Sequence, residues 1–237
     1  MTRRWIITGA SRGLGYITAK TAALKGDRVA LVARRAVIHD IAKDFGPDVL
    51  AFEADVTDSK AMEQVADQVA DAWGGIDVLV NNAGLHRGGK IERLADEDWN
   101  AVLETNLSGP FRMIRAVVPH MKTGGSIVNV GAVVGFRGFV GDSPYGASKA
   151  GLAGLTKVMA IELARRQIRV NLVVPGLVPT EMTAGISDKA RETLIAKIPL
   201  GREGTDQEIA DVIWWVAGST YMTGSIIATD GGLSAGI

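Results

Sequence analysis

The sequence predicts an α/β fold in which helices cover both faces of a doubly wound, seven-stranded parallel sheet. Short apolar runs alternate along the chain with longer segments of helical period. The apolar runs contain few alternating polar residues, which is typical of strands that are buried on both faces. A repeated strand–helix order favours parallel pairing through right-handed crossovers, and so indicates the doubly wound arrangement.

The predicted elements follow one another without a break in pattern. The strands are expected at residues 5–8, 28–33, 49–53, 76–80, 126–130, 169–174 and 225–229. The helices are expected at residues 14–25, 37–45, 59–73, 96–121, 144–166 and 206–217. Residues 177–204 are the least regular stretch and form a candidate substrate lid. No linker or repeat divides the chain, so residues 1–237 are expected to form one domain.

The composition argues against several classes of function. Lys plus Arg number 26 and Asp plus Glu also number 26, so no overall field favours nucleic acid or an anionic membrane. The chain has no cysteine, which excludes disulfides, thiolate catalysis and cysteine-ligated metals. His39 and His120 lack metal-ligand spacing with any partner, so no catalytic metal is expected. No apolar run approaches the length of a membrane span, and we expect a cytoplasmic protein.

A glycine-rich turn joins the first predicted strand to the first predicted helix. Gly9, Gly13 and Gly15 are spaced G-x-x-x-G-x-G. Glycines at such a turn let the backbone approach a pyrophosphate closely, and the helix N-terminus offers unpaired N–H groups to the anion. A flexible turn without a ligand is the alternative, but the position directly after the first strand favours a dinucleotide.

The end of the second predicted strand indicates which dinucleotide is bound. NAD-preferring proteins usually carry an acidic residue there, which hydrogen-bonds the ribose 2′-hydroxyl. Here the position is Ala33, followed by Arg34 and Arg35, and Arg12 in the glycine turn is expected near the same ribose. Guanidinium groups clamp a 2′-phosphate in bidentate fashion, whereas a carboxylate repels it. The pattern predicts NADPH; the alternative is that two of these arginines are solvated surface charges.

A tyrosine and a lysine one helical turn apart are the strongest candidates for chemistry. Tyr145 and Lys149 are four residues apart in a predicted helix, so both project from one face. A phenol with an unperturbed pKa of about 10 is a poor acid–base catalyst at neutral pH. A neighbouring ammonium is expected to stabilise the phenolate and lower that pKa. The alternative is an amphipathic helix with a polar stripe.

These motifs together resemble a known family. The turn at residues 8–15, Asn-Asn-Ala-Gly at 81–84, Asn106, and the pair Tyr145 and Lys149 resemble the classical short-chain dehydrogenase/reductase family over nearly the whole length. The resemblance implies a Rossmann-like fold with one dinucleotide-binding and catalytic domain. It also implies that the tyrosine protonates a carbonyl oxygen as hydride arrives, while the lysine holds the nicotinamide ribose. Asn106 is then the fourth catalytic residue, whose backbone carbonyl holds a water linked to the lysine; the alternative is an asparagine that bonds locally in its helix.

The resemblance further implies a cofactor site. Asp55 is expected to face the adenine, residues 81–84 to run beneath the riboses, and Thr180 to reach the nicotinamide carboxamide. The expected cofactor-binding residues are Gly9, Ser11, Arg12, Gly13, Leu14, Gly15, Arg34, Arg35, Asp55, Val56, Asn82, Ala83, Gly84, Tyr145, Lys149, Pro175, Gly176, Val178 and Thr180.

One position departs from the family pattern. The family's serine lies thirteen residues before the tyrosine, which is Ala132 in this chain. Ala132 has no hydroxyl to polarise a carbonyl, and the loss of one such donor typically costs about 10²–10³ in rate. Three interpretations stay open: an engineered serine-to-alanine variant, a natural enzyme in which Ser143 or a water takes over, and a relative that keeps the cofactor without catalysis. We expect Ser143 itself to be a helix N-cap.

The predicted function is NADPH-dependent reduction of a ketone to a secondary alcohol, with Tyr145 as general acid and with activity reduced by Ala132. The chain most resembles the 3-oxoacyl-acyl carrier protein reductases of fatty acid biosynthesis, so the expected substrate is a 3-oxoacyl thioester or a related carbonyl. One alternative is an NADPH-binding pseudoenzyme, acting as a sensor or an inactive subunit. The second alternative is a secondary alcohol dehydrogenase for small ketones.

The expected partners follow from the same resemblance, which implies a homotetramer held by residues 96–121, 144–166 and 225–229. Arg165 and Arg166 are candidates to meet an acidic acyl carrier protein, although basic residues at a helix C-terminus also favour the helix dipole. His86 is expected either to line the substrate cleft or to lie exposed in a loop.

Overall fold

The computed structural model describes residues 2–46, 48–180, 183, 185 and 187–235. Its strands are β1 Arg4–Thr8, β2 Arg28–Ala33, β3 Val49–Glu53, β4 Ile76–Asn81, β5 Met121–Val130, β6 Arg169–Pro175 and β7 Ile226–Thr229. They form one seven-stranded sheet in the order β3-β2-β1-β4-β5-β6-β7, and every pairing is parallel. The predicted doubly wound parallel sheet is therefore confirmed.

Helices connect the strands across both faces of this sheet. They are α1 Gly13–Leu24, α2 Val37–Ala42, α3 Ser59–Trp73, α4 Asp96–Leu103, α5 Gly109–Val117, α6 Ser143–Glu162, α7 Asp188–Ile195 and α8 Asp206–Gly218. In the part of the chain that the structure describes, no helix is both long enough and apolar enough to cross a bilayer.

The helical segment predicted at residues 96–121 is present at residues 96–120, but it is not a regular α-helix throughout. A π-helical turn at Glu104–Ser108 separates α4 from α5. Asn106, in the middle of this turn, is completely buried, and such turns frequently occur at functional sites. The helical segment also ends earlier than predicted, because Met121 already belongs to β5 and pairs with Ile76 of β4.

Helix α7 lies in the stretch that was expected to be irregular. The Ser187 hydroxyl caps this helix by accepting the backbone N–H of Ala190 at 3.4 Å. None of the α7 residues is buried. A helix without a buried face needs no apolar stripe, so the usual sequence signal for a helix is weak here. Residues 181, 182, 184 and 186 of the predicted lid lie outside the described residues.

The hydrophobic core lies between the sheet and the helices on its two faces. Side chains of α3, α5 and α6 cover one face, including Met62, Val65 and Val117. Side chains of α1, α2 and α8 cover the other face, including Ala22 and Ile213. Burial of an aliphatic side chain of this size stabilises the fold by about 1.5–3 kcal/mol. The sheet is therefore a firm support for the loops at its carboxyl edge.

The strand order reverses between β1 and β4, which pair through residues such as Ile7 and Val80. In open α/β sheets, ligands bind in the crevice outside the carboxyl ends of the strands at such a reversal. The topology therefore predicts a binding site at the loops that follow Thr8 and Asn81.

Candidate active site

A cleft of about 810 Å³ opens at this point of the sheet. Every residue expected to bind the cofactor lines it, except Gly15 and Asp55. Ala132 also lines the cleft, together with the pair Tyr145 and Lys149. Residues from Gly9 to Thr183 are therefore brought to one surface.

The glycine turn packs tightly against the loop after β4. Gly9 has φ +68°, a conformation that favours glycine. Gly15 lies behind the turn, where an added Cβ would fall 2.3 Å from the Gly9 carbonyl oxygen and 2.5 Å from Asn82 Nδ2. The expectation that Gly15 contacts a cofactor stays a prediction. The lack of a side chain at Gly15 allows helix α1 to approach the turn.

Thr8 and Asn82 hold the turn in place through a set of hydrogen bonds. Thr8 Oγ1 accepts the backbone N–H groups of Asn82 and Ala83, both at 3.1 Å. The Asn82 side-chain amide donates to the carbonyl oxygens of Thr8 at 3.1 Å and Gly9 at 3.3 Å. These bonds join the carboxyl ends of β1 and β4 into one rigid floor.

The N-terminus of α1 suits an anionic group. Arg12 occupies the N-cap position without a side-chain cap bond, and the first turn contains no acidic residue. The first N–H groups of a helix have no partner within it, and the helix dipole favours negative charge there. The residues present therefore fit a dinucleotide pyrophosphate.

The arginine-rich end of β2 forms another part of the cleft wall. Ala33, Arg34 and Arg35 all line the cleft. Asp55 does not, because its carboxylate accepts the backbone N–H and the hydroxyl of Thr57, both at 2.9 Å. Asp55 also lies 3.9 Å from Arg34, a separation at which an exposed ion pair contributes little. The expectation that Asp55 faces the adenine stays a prediction.

Tyr145 and Lys149 lie on the first turns of α6, with the lysine nitrogen 5.6 Å from the centre of the tyrosine ring. Lys149 Nζ is buried and donates to the carbonyl oxygen of Val130 at 2.9 Å. Burial lowers the pKa of Lys149 to about 8. Burial also raises the pKa of Tyr145 to about 12, with a smaller contribution from the negative charge of Asp142.

The expected lowering of the tyrosine pKa is therefore wrong in this structure. Loss of hydration penalises the phenolate more than the lysine ammonium stabilises it, and Asp142 adds to the penalty. Tyr145 is consequently protonated at neutral pH. The phenol therefore carries the proton that carbonyl reduction requires, although the raised pKa makes it a weaker acid than a free tyrosine.

Asn106 reaches the active-site loop through its side chain. Its Oδ1 accepts the backbone N–H of Leu85 at 2.7 Å, and its Nδ2 donates to the Leu85 carbonyl oxygen at 2.9 Å. Nδ2 also lies 3.2 Å from Ser148 Oγ, which donates to the Tyr145 carbonyl oxygen at 2.7 Å. The alternative of purely local bonding is wrong, because these contacts cross from the π turn to two other segments. The role of the Asn106 carbonyl with a water and the lysine stays a prediction.

His86 and Asp142 form a pair beside the tyrosine, at the mouth of the cleft. His86 Nε2 is 2.9 Å from Asp142 Oδ1. The imidazole meets the Tyr145 ring edge-on, with 5.1 Å between ring centres and 74° between planes. Both expectations for His86 match the structure, because the residue lines the cleft and is also exposed in a loop. The pairing with Asp142 was not predicted, because the two residues are far apart in sequence.

Ser143 does not occupy the place of the missing serine. It is exposed and is the first residue of α6, whereas Asp142 holds the N-cap position. Ser143 lines a shallower groove beside the cleft, together with Val140 and Ile91. Both the N-cap expectation and the idea that Ser143 replaces the serine are therefore at odds with its position.

The segment after β6 closes the far side of the cleft. Val178 and Thr180 line it as expected, and Thr183, which was not predicted, lines it as well. Thr183 Oγ1 accepts the Thr180 N–H and donates to the Val178 carbonyl oxygen, both at 2.9 Å. Within the described residues, no three or more acidic or histidine side chains are grouped so that they could hold a metal ion.

The chain is similar to a family of reductases in sequence. A family model described as enoyl-(acyl carrier protein) reductase matches residues 9–234. The 3-oxoacyl-[acyl-carrier-protein] reductase of Thermotoga maritima is 44% identical, over 96% of each chain. The corresponding reductase of Escherichia coli is 40% identical, again over 96% of each chain.

Solved structures show the same similarity in three dimensions. A double mutant of a Serratia marcescens short-chain dehydrogenase/reductase is 35% identical and superposes with a TM-score of 0.93 over 98% of each chain. A blue fluorescent protein from a metagenomic library, in complex with NADPH, is 31% identical and has a TM-score of 0.93 over 98% of each chain. The likeness thus extends through the sheet, the cleft and the segment that closes it.

Proposed function

Because this chain belongs to the short-chain dehydrogenase/reductase family, and is therefore an NAD(P)-dependent oxidoreductase acting on CH–OH groups, we propose that it reduces a 3-oxoacyl thioester to the secondary alcohol with NADPH. The observation that carries the proposal is the cleft in which Tyr145 and Lys149 face the glycine turn across one crevice. The similarity to 3-oxoacyl reductases supports this substrate class.

The proposed reaction uses Tyr145 as the acid. A bound reduced nicotinamide supplies the hydride to the carbonyl carbon. Tyr145, whose pKa is raised to about 12, holds its proton at neutral pH and delivers it to the carbonyl oxygen. The proton and the hydride arrive on the same carbonyl group, so the product is an alcohol.

Lys149 has a binding role in this proposal. Its ammonium is buried and fixed by the Val130 carbonyl, so two further N–H donors remain for the ribose hydroxyls. With a pKa of about 8, this group is mostly protonated at neutral pH and loses its charge at higher pH. The positive charge also stabilises the tyrosinate that forms when the proton leaves.

NADPH is the proposed cofactor because the cleft wall at β2 carries guanidinium groups and lacks a carboxylate at its end. Arg34 and Arg35 follow Ala33 there, and Arg12 approaches from the glycine turn. The ion pair between Arg34 and Asp55 is long and exposed, so a 2′-phosphate competes for Arg34 at little cost. The NADPH-bound neighbour in structure supports the same choice.

An acyl carrier protein is the proposed donor of the thioester, and Arg165 is a candidate contact. Arg166, the other basic residue named for this role, donates to the carbonyl oxygens of Val118 and Met121, both at 2.9 Å. Arg166 therefore holds the end of the helical segment near β5. A cytoplasmic location and a lid at residues 177–204 stay predictions of the sequence.

A homotetramer is proposed because apolar side chains are exposed on the expected interface helices. Phe111 of α5 and Val158 and Ile161 of α6 are exposed, and Ile161 shows 79% of its surface to solvent. Ile226 lies on β7, the edge strand of the sheet. Exposed apolar side chains on these elements are consistent with coverage by another chain.

One specific observation favours a second candidate function. Ala132 places a methyl group in the cleft where the family's serine would offer a hydroxyl. A protein that binds NADPH and no longer turns over a ketone would account for it, and this pseudoenzyme is the second candidate.

The test is NADPH oxidation with a panel of ketones, including acetoacetyl thioester and small secondary ketones. The proposal expects turnover of the thioester with a higher kcat/KM than any small ketone. Turnover of small ketones alone would support the secondary alcohol dehydrogenase. NADPH binding without turnover of any ketone would support the pseudoenzyme.

A further inference from the structure

We propose that His86 donates to the substrate carbonyl oxygen the hydrogen bond that Ala132 is unable to give. The inference rests on the proposed ketone reduction and names a further catalytic residue for it. Ala132 and His86 line the same cleft as Tyr145, which supplies the proton. A second donor aimed at the carbonyl oxygen stabilises the negative charge that develops there as hydride arrives.

The position of the imidazole relative to the acid fits this role. Both donors must reach one oxygen atom, so the second donor has to lie next to the tyrosine. The His86 ring is in edge-on contact with the Tyr145 ring, with 5.1 Å between their centres. No other histidine of the described residues lines the cleft.

The segment that carries His86 is fixed on both sides. Asn106 holds the backbone of Leu85 just before it, through the two hydrogen bonds of its side-chain amide. The Gly89 N–H donates to the Gly141 carbonyl oxygen at 2.9 Å just after it. The imidazole itself is tied to Asp142. A donor held in this way needs little reorganisation during the reaction.

One ring nitrogen is engaged and the other is open. Nε2 is bonded to Asp142, whereas Nδ1 has no protein partner in the part of the chain that the structure describes. The His86 side chain is 38% exposed and lines the cleft. The open nitrogen is the atom that would donate to the substrate.

Nδ1 is a donor when both ring nitrogens carry a proton, because Nε2 is bonded to Asp142. The Asp142 carboxylate faces Nε2 and raises the pKa of His86, while burial opposes it. The Tyr145 phenol beside the ring is neutral at physiological pH, and Lys149 in the same cleft donates to Val130. In the imidazolium form, Nδ1–H is a charge-assisted donor. His86 keeps its proton throughout, since Tyr145 is the group that gives one up.

The kinetic test combines two substitutions. His86→Phe keeps an edge-on ring and removes the donor. We expect it to lower kcat with acetoacetyl thioester by about 10²–10³ and to leave the affinity for NADPH unchanged. Ala132→Ser should raise kcat by a factor at least about tenfold greater in the His86→Phe background than in the parent. His39→Phe, on an exposed helix position, is the matched control. An equal gain from Ala132→Ser in both backgrounds would overturn the inference.

A spectroscopic measurement separates this inference from the proposed function. Acetoacetyl thioester, carbon-13 labelled at its ketone, is bound with NADP⁺, and the infrared band of the ketone is compared between parent and His86→Phe. A band at lower frequency in the parent supports the hydrogen bond, even if neither protein turns over a ketone and the proposed function fails. Identical bands, or no bound ketone in the parent, contradict the role of His86 whatever the activity.

Discussion

The side chain of Asn106 binds the backbone of Leu85 at both its N–H and its carbonyl group, at 2.7 Å and 2.9 Å. The contact joins the π-helical turn between α4 and α5 to the loop that follows β4. It fixes the residue directly before His86, and through Ser148 it also touches the start of α6. The geometry of the acid and of the loop beside it therefore depends on one buried amide.

Removal of this amide should weaken the fold as well as the reaction. Asn106→Ala leaves two backbone groups of Leu85 without their partner, so we expect the free energy of unfolding to fall by about 1–3 kcal/mol. Asn100→Ala, at an exposed position of α4, is the control. Urea unfolding of both variants measures the difference. Equal stability of the two would show that water readily replaces the Asn106 contacts.

Arg34→Ala should discriminate between the two nicotinamide cofactors. The guanidinium lies at the cleft wall where a 2′-phosphate would sit. Its loss is expected to weaken the binding of NADPH by at least about tenfold and the binding of NADH by much less. Fluorescence titration of the reduced cofactors gives both affinities. Arg93→Ala, exposed and outside the cleft, serves as control. An equal loss for NADPH and NADH would mean that Arg34 does not read the phosphate.

The lowered pKa of Lys149 predicts a pH dependence of stability. Its pKa is about 8 in the folded chain and about 10.4 in an unfolded one. Between these values the unfolded chain binds more protons, so the contribution of this group to stability rises with pH. From pH 8 to pH 10, the free energy of unfolding of the parent should rise by about 1–3 kcal/mol relative to that of Lys149→Met. Urea unfolding at several pH values measures this difference. Tyr145 is present in both proteins, so its titration contributes equally to both.

Lys157→Met supplies the matched control for that experiment, because Lys157 lies exposed on the same helix. Its stability should run parallel to that of the parent at every pH. A parent whose stability relative to Lys149→Met stays constant, or falls, over this range would contradict the lowered pKa.

A charge on the outer face of α6 should break the proposed assembly. Ile161→Glu places a carboxylate in the apolar exposed patch, and we expect light scattering to show a mass below that of four chains. Leu24→Glu, at an exposed position of α1, is expected to leave the mass unchanged. A parent that is already monomeric would refute the tetramer directly.

Much of the fold could be predicted because its signals are local. The apolar runs of β2 and β3, and the helix at Ser59–Trp73, match their predicted bounds. Helix α3 has a cap at Asp58 that accepts two backbone N–H groups, and a glycine at its end. The π-helical turn between α4 and α5 has no such local signal in the sequence. Its Asn106 is bonded to Leu85, which lies outside the helix.

The candidate site could be predicted only where its motifs are contiguous. The glycine turn, the pair Tyr145 and Lys149, and the segment after β6 all line the cleft as expected. The partnership of His86 with Asp142 depends on tertiary contact. The direction of the Tyr145 pKa shift was likewise wrong, since a sequence shows the neighbouring lysine but does not show the loss of hydration around the phenol.

The central claim is that Tyr145 donates the proton in an NADPH-dependent ketone reduction. The most direct measurement is the rate of NADPH oxidation by acetoacetyl thioester in the parent and in Tyr145→Phe, with NADPH affinity measured in parallel. Tyr221→Phe, at a fully exposed position, is the control. We predict that Tyr145→Phe abolishes turnover and leaves NADPH affinity nearly unchanged. Turnover of Tyr145→Phe at the parent rate would contradict the account.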